Sequence, residues 1–296
     1  MTTSTVLRPS VRAALHALID YAGLFPPAQL SVSTAQAEYA AARAGPHAWM
    51  LGRFILPATA LATWSSDAPL SIVLDGGLEQ LDEVAAMRGR AGGIAALEVP
   101  PRFWAQGETL PDAIDAFSRR LEASHATGLA AFVEIPSAAH SPQCLAQTMA
   151  AAARAGLGAK LRCGGITSEA FPSVEGVADF ILAANNARVP FKATAGLHHP
   201  VRRLDAAGGF AMHGFLNLLA ATALAPRVDS NALRRIVAEE DPAAFRFDDD
   251  SFAWRGERIG IEELTQARRT AFVAYGSCSF SEPIDDLSAL GILSVR

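Results

Sequence analysis

The stretch AAFVEIPSAAHSPQCLAQTMAAAARAGLGAKLRCGGITSEAFPSVEGVADFILAANNARVPFKATAG (130–196) decides the fold. It holds three short apolar runs, AAFVEIP (130–136), GAKLRCG (158–164) and PFKATAG (190–196). Two stretches of helical character, SPQCLAQTMAAAARAG and SVEGVADFILAANNA, separate them. Pro142 opens the first of these and Gly156 closes it, as expected when a proline needs no N–H in the first turn and a glycine relaxes the last. Strands alternating with helices make a parallel sheet with helices packed outside it. The same rhythm runs upstream through GRFILPA (52–58), SIVLDGG (71–77) and GIAALEVP (93–100), with LEQLDEVAAMRGR and the Pro111–Gly128 stretch as helices. GFAMHG (209–214) and FVAYGSC (272–278) supply two further strands. Eight parallel strands close into an α/β fold of the (β/α)8 TIM type, and 296 residues suffice for one. The alternative is an open doubly wound sheet. No GxGxxG follows a strand and no Walker loop occurs, so the signs of nucleotide binding are absent.

Around this core, SVRAALHALIDYAGLF (10–25) reads as a helix capped by Ser10, with Val11, Leu15, Leu18 and Ile19 on one face. Gly23 and Pro26-Pro27 stop it, and Asp20-Tyr21 either fall at its exposed end or cover the barrel mouth. A second helix fits 31–44. Beyond residue 226 come a polar helix, a hairpin over 244–259 with Asp248–Asp250 at its turn, the helix IEELTQARRTAF and a short docking helix in SEPIDDLSALGIL. The reading is one barrel domain over 1–296: N-terminal helices (1–48), a β/α core (49–225) and an extension (226–296) that carries the hairpin and a closing strand.

Half of the residues are apolar, and the net charge is −5. The acidic balance argues against nucleic acid as a partner. Three cysteines without CxxC spacing argue against a disulfide framework and fit a reducing cytoplasm, with Cys163 as a small packing residue. The segment MTTSTVLRPSVRAAL has no apolar h-region, and no run reaches about 18 apolar residues. A cytoplasmic protein without a membrane span is expected, and a homo-oligomer is compatible with the sequence.

Of 25 basic residues only two, Lys160 and Lys192, are lysine. A drift toward arginine this strong acts as a filter. Lysine survives where a guanidinium cannot substitute, as an amine nucleophile or a compact titratable charge. Both survivors lie in strand runs, which chance would produce about one time in twenty. Alternate strand residues share a face, so Lys160 pairs with Arg162 and Lys192 with Thr194. Five successive strand runs carry a charge at or near their carboxyl ends: Asp75, Glu98, Glu134, Lys160 and Lys192. With Arg53 and Arg162 they could form a mutually neutralising set where barrel chemistry sits. A lysine beside another cation has a depressed pKa and can attack a carbonyl. Glu98 or Glu134 could then move protons. Other features read more plainly. Gly164-Gly165 serve either a βα turn or a phosphate. His198 and His199, with His213, Glu98 and Glu134, offer a possible N/O set for a divalent metal. His213 reads as a core or cap histidine.

The pair GAKLRCGG (158–165) and PFKATAGLHH (190–199), with lysines 32 residues apart, resembles the two lysine strands of deoxyribose-phosphate aldolases and related class I aldolase barrels. The resemblance implies that Lys160 forms a Schiff base and that Lys192 lowers its pKa. Arg162 departs from the small residue expected there, and His198-His199 stand where the family continues to a phosphate-binding glycine turn. AYGSCSF (274–280) is suggestive of the family's last phosphate loop but lies too late in the chain. The expectation is a cofactor-free, lysine-dependent lyase or isomerase on a small anionic carbonyl compound. Lys160, Lys192, Glu134 and Glu98 would be catalytic. Arg162, Arg53, Thr194, Gly164, Gly165 and His198 would bind substrate. The alternatives are a metal-dependent hydrolase or isomerase using His198, His199 and Glu134, and a non-catalytic binding or oligomeric scaffold.

Overall fold

The computed structural model describes residues 7–88, 93–101, 109–124, 126–136, 139, 141–165, 170–204 and 209–293. Residues 1–6, and the ends of two expected helices at Gly89-Arg90 and His125, lie outside these. The first half contains α1 (Pro9–Leu15), β1 (Ile19–Tyr21), α2 (Val32–Ala44), β2 (Leu51–Pro57), β3 (Leu70–Val73), α3 (Gln80–Met87), β4 (Ile94–Val99) and α4 (Leu110–Ala123). Next come β5 (Ala130–Ile135), α5 (Pro142–Arg154), β6 (Gly158–Arg162), α6 (Val174–Ala187), β7 (Phe191–Thr194), β8 (Arg203–Leu204), β9 (Ala211–Met212) and α7 (Phe215–Leu224). The last part contains α8 (Ser230–Ala238), β10 (Phe245–Phe247), β11 (Ser251–Trp254), β12 (Glu257–Gly260), α9 (Ile261–Thr270), β13 (Phe272–Ser277) and α10 (Ser281–Ala289).

Strands β1 to β7 and β13 pair in parallel and close on themselves, β13 returning to β1. This is a (β/α)8 barrel, and the open doubly wound sheet is thereby excluded. Seven of the eight strands fall in the expected runs. The eighth corrects the reading of both GFAMHG and the first helix. Only Ala211–Met212 of GFAMHG is extended, and it pairs antiparallel with Arg203–Leu204 outside the barrel. The missing strand is Ile19–Tyr21. Helix α1 stops at Leu15, and Ala17 takes a left-handed φ of 47°. The chain then runs extended, with Ile19 and Tyr21 in the apolar layer under the helices and Asp20 turned inward. Leu18 and Ile19 looked helical because burial beneath the helix layer leaves the same apolar trace in either conformation. Ser10, expected as a cap, lies within α1, and its hydroxyl donates to the Asp248 carbonyl. The expected hairpin is a three-stranded meander, β10–β11–β12, with Asp248–Asp250 at its first turn and Arg258 paired to both Asp248 and Asp250.

The helices begin where side-chain oxygens meet unsatisfied N–H groups. Ser31, Thr109, Ser141, Ser173 and Asp229 each accept from the residue three positions on, worth about 1 kcal/mol apiece. The main apolar core fills the space between strands and helices, where Phe180, Phe191 and Phe272 pack ring to ring. Among the described residues no helix is long and apolar enough to cross a membrane.

Inside the barrel, Phe132 fills the position opposite Gly158. A Cβ on Gly158 would stand 2.5 Å from the Phe132 ring and 3.0 Å from the Pro190 carbonyl. The glycine is therefore a packing requirement that lets one aromatic ring fill the barrel interior. Gly158→Ala should lower unfolding free energy by about 1–3 kcal/mol through overpacking, read from urea titration. A Phe132→Leu change in the same chain should recover part of that loss.

Candidate active site

The strand registers set Glu134 beside Lys160, Lys160 beside Lys192, and Arg162 beside Thr194. The two lysines thus occupy equivalent positions on neighbouring strands. Both are buried, Lys160 at 5% exposure and Lys192 at 1%. The ammonium of Lys192 lies 2.6 Å from Asp20 Oδ2 and 2.6 Å from Glu98 Oε1, and donates to Ser71 Oγ at 3.2 Å. Ser71 in turn donates to Glu98 Oε1 at 2.7 Å. The other Glu98 oxygen, Oε2, lies 2.9 Å from Lys160 Nζ, and Glu134 Oε2 lies 3.1 Å from the same nitrogen.

Two guanidiniums extend this set. Arg162 reaches Glu134 Oε1 at 3.6 Å, and Arg53 reaches Asp20 Oδ2 at 3.6 Å. The Arg53 backbone N–H donates to Asp20 Oδ1 at 2.7 Å. The result is a continuous chain of alternating sign: Arg53, Asp20, Lys192, Glu98, Lys160, Glu134, Arg162. An isolated charge in such an interior costs several kcal/mol, and alternation is what makes seven tolerable together.

The chain corrects one expectation. Glu98 lies between the two ammoniums, so they do not act on each other as bare neighbouring cations. Burial by itself would lower the Lys160 pKa. Glu98 and Glu134 outweigh burial and push it above the ordinary lysine value. Burial would likewise raise Glu98, but the two ammoniums outweigh it and hold its carboxyl well below the usual range. In the resting site Lys160 is charged, and the depressed amine expected from the sequence is absent.

Asp20 and Ser71 were not among the expected site residues. Asp20 was read as an exposed helix end or a cover over the barrel mouth, yet it is 1% exposed inside the barrel. Ser71 carries no charge and stood unmarked in SIVLDGG. Asp75, which was marked, accepts from the Thr59 N–H and from Gln80 Nε2 outside this chain.

The histidines lie elsewhere. His198 Nδ1 bonds Glu282 Oε2 at 3.0 Å, and His199 Nδ1 bonds Asp286 Oδ2 at 2.6 Å, both carboxylates belonging to α10. Glu134 meanwhile faces Lys160. The expected metal set of His198, His199 and Glu134 is thus not assembled, and among the described residues no group of three His, Cys, Asp or Glu could hold a metal ion. His213 is buried, and its Nε2 donates to the Pro172 carbonyl at 2.8 Å; burial lowers its pKa to about 4. Gly164 and Gly165 owe their missing side chains to packing. A Cβ on Gly164 would meet the Phe171 ring at 2.6 Å and Gly196 Cα at 2.9 Å, and one on Gly165 would meet Ala170 Cβ at 2.7 Å. Cys163 is fully buried and burial raises its thiol pKa, as suits a packing residue.

No family model matches this sequence, and no curated protein matches it. Among solved structures, the chain is similar to a tetrameric deoxyribose phosphate aldolase from Aeropyrum pernix. The TM-score is 0.54 at 11% identity, covering 94% of this chain and 93% of that one. It also overlaps a candidate fructose-1,6-biphosphate aldolase from Coccidioides immitis with a TM-score of 0.39 at 13% identity, covering 87% and 88% of the two chains. The second overlap is too loose to carry weight. The first shows a shared barrel fold.

Glu98 generates a pH-dependent prediction. Glu98→Gln leaves two buried ammoniums without their shared anion and should cost about 3–5 kcal/mol near neutral pH. A carboxyl depressed in the folded state contributes stability above its unfolded pKa and loses it as pH falls. The gap between wild type and variant should therefore narrow below about pH 4.5, the ordinary value for this side chain. Denaturant titrations across pH 3 to 7 would read it.

Proposed function

We propose that this protein is a lysine-dependent, aldolase-like lyase acting on a small anionic carbonyl compound, with Lys160 as the nucleophile. The observation that carries the reading is the difference between the two amines. An ammonium has three N–H directions. Lys192 donates to Glu98 and Ser71, ion-pairs with Asp20 and is 1% exposed. Among the described residues Lys160 ion-pairs with two carboxylates, Glu98 and Glu134, and at 5% exposure it is the less enclosed of the two amines. Lys192 is then a positioning residue that holds Glu98, while Lys160 can receive a carbonyl carbon.

The raised Lys160 pKa is compatible with this chemistry. Attack begins when Lys160 passes a proton to Glu134 Oε2, 3.1 Å away. The free amine lone pair forms the C–N bond, and the carbonyl π pair moves to oxygen, which takes up the proton that Glu134 received. The nitrogen then loses a second proton to a neighbouring carboxylate. The carbinolamine hydroxyl takes a proton and leaves as water, giving a protonated imine. That iminium carries the same positive charge as the ammonium it replaces. The two carboxylates that oppose the neutral amine therefore stabilise the intermediate in turn. The iminium withdraws electrons from an adjacent C–C bond as that bond breaks, or from a C–H bond whose proton a carboxylate accepts. Arg162, half exposed at the carboxyl end of β6, stands ready for the substrate's anionic group.

Borohydride reduction in the presence of small aldehydes and ketones, followed by peptide mapping, tests the assignment. The expected result is one reduced adduct, on Lys160. Lys160→Arg should retain the charge and abolish trapping. An adduct on Lys192 instead, or none with a carbonyl ligand that demonstrably binds, would overturn the proposal.

A further inference from the structure

We infer that the substrate is a short oxo acid, with one carboxylate a few bonds from its carbonyl, rather than a phosphate ester. The inference rests on the lysine-imine reading and names the substrate class of that same site. Three observations carry it.

The first is charge. The interior chain contains four cations and three anions by formal count: Arg53, Lys192, Lys160 and Arg162 against Asp20, Glu98 and Glu134. Arg53 is matched to Asp20, Lys192 to Glu98 and Lys160 to Glu134. Among the described residues one positive charge is left over, at the Arg162 end when the pairs are drawn this way and at the Arg53 end when they are drawn from Arg162. A carboxylate supplies the single negative charge that completes the alternation, whereas a phosphate monoester brings nearly two at neutral pH.

The second is reach. Lys160 and Arg162 share a face of β6, and both address the same carboxylate: Lys160 contacts Glu134 Oε2 and Arg162 contacts Oε1. The Lys160 nitrogen and the Arg162 nitrogen that faces Glu134 are therefore separated by at most the span of one carboxyl group and its two contacts. Among the described residues, Glu134 Oε1 at 3.6 Å is the ion-pair partner of Arg162, and that distance exceeds a hydrogen bond. The guanidinium is half exposed, so its planar fork is available to take a carboxylate in a bidentate manner. Arg53 is a poorer candidate, because Asp20, Lys192 and Glu98 stand between it and Lys160 in the chain.

The third is what occupies the ends of the neighbouring strands. After β6, a Cβ on Gly164 would meet Phe171 and Gly196, and one on Gly165 would meet Ala170, so both glycines have a packing reason. After β7, His198 and His199 are bonded to Glu282 and Asp286. At the end of β13, the Ser277 hydroxyl donates to the Ser279 carbonyl at 2.6 Å. Among the described residues, the histidine and serine side chains at these strand ends are already bonded within the protein, which does not favour a phosphate dianion there.

The experiment compares labelling of Lys160 under borohydride by three groups of probes at equal concentration. Pyruvate and 2-oxobutyrate are the oxo acids. Butanone and butanal are neutral carbonyls of similar size. Dihydroxyacetone phosphate and glyceraldehyde 3-phosphate are the phosphate esters. The expected result is half-saturation by an oxo acid at a concentration at least tenfold below that of the neutral or phosphorylated probes. Arg162→Gln should lower the preference for oxo acid over neutral carbonyl by about tenfold or more, the scale of a lost charge-assisted contact. Adducts formed best by the phosphate esters, or an oxo-acid preference unchanged in Arg162→Gln, would overturn this inference and leave the imine reading standing. No adduct from any probe that binds would remove both. The wild-type series decides the substrate class even if the variant fails to fold.

Discussion

Glu98 is the residue on which the rest of the interior depends. One oxygen faces Lys192 and the other faces Lys160. Without it, two ammoniums would confront each other in a space that excludes water. Five ionisable side chains (Asp20, Glu98, Glu134, Lys160 and Lys192) are buried within the barrel. Taking each out of water costs several kcal/mol, and only close pairing with opposite charge offsets that. Ser71 adds a hydroxyl that bonds both Glu98 and Lys192, so the bridging carboxylate is fixed in orientation as well as in charge.

A closed parallel barrel is well suited to such an arrangement. Its inward residues converge from strands far apart in sequence, and its carboxyl-end loops can vary without disturbing them. Packing inside the barrel is equally specific. Phe132 lies near the lysine layer, with Lys192 Nζ 5.7 Å from its ring centre, and Gly158 is small because that ring needs the space. Apolar packing and paired charge thus share one narrow interior. The chemistry proposed for it uses the same electrostatics: a protonated imine at Lys160 keeps the alternation intact, and a substrate anion beside Arg162 extends it by one member.

Much of this was legible before any coordinates. The alternation of apolar runs with capped helical stretches led to the barrel, and the scarcity of lysine pointed to Lys160 and Lys192. Charged residues near successive strand ends led to Glu98 and Glu134. Two members escaped. Asp20 sits on a three-residue strand, too short for a two-residue period to stand out from the helical pattern beside it. Ser71 is an uncharged residue in an apolar run, and nothing in that run distinguishes a bridging hydroxyl from a packing one. GFAMHG misled for a related reason, since short apolar runs occur both in barrels and in two-residue ribbons.

By itself, the sequence determined the α/β class, the position of most strands and helices, and which neighbours share a strand face, such as Lys160 with Arg162. These follow from local rules: the two-residue period of a strand, the cap at a helix start, the glycine at a helix end. Only the tertiary structure decided that Glu98 stands between the lysines, that Asp20 completes the chain, and that Lys160 is consequently held charged. The sign of a pKa shift depends on distances of a few ångströms between side chains such as Glu98 and Lys192, which lie 94 residues apart. Closure of the barrel sets those distances, and no local pattern encodes them.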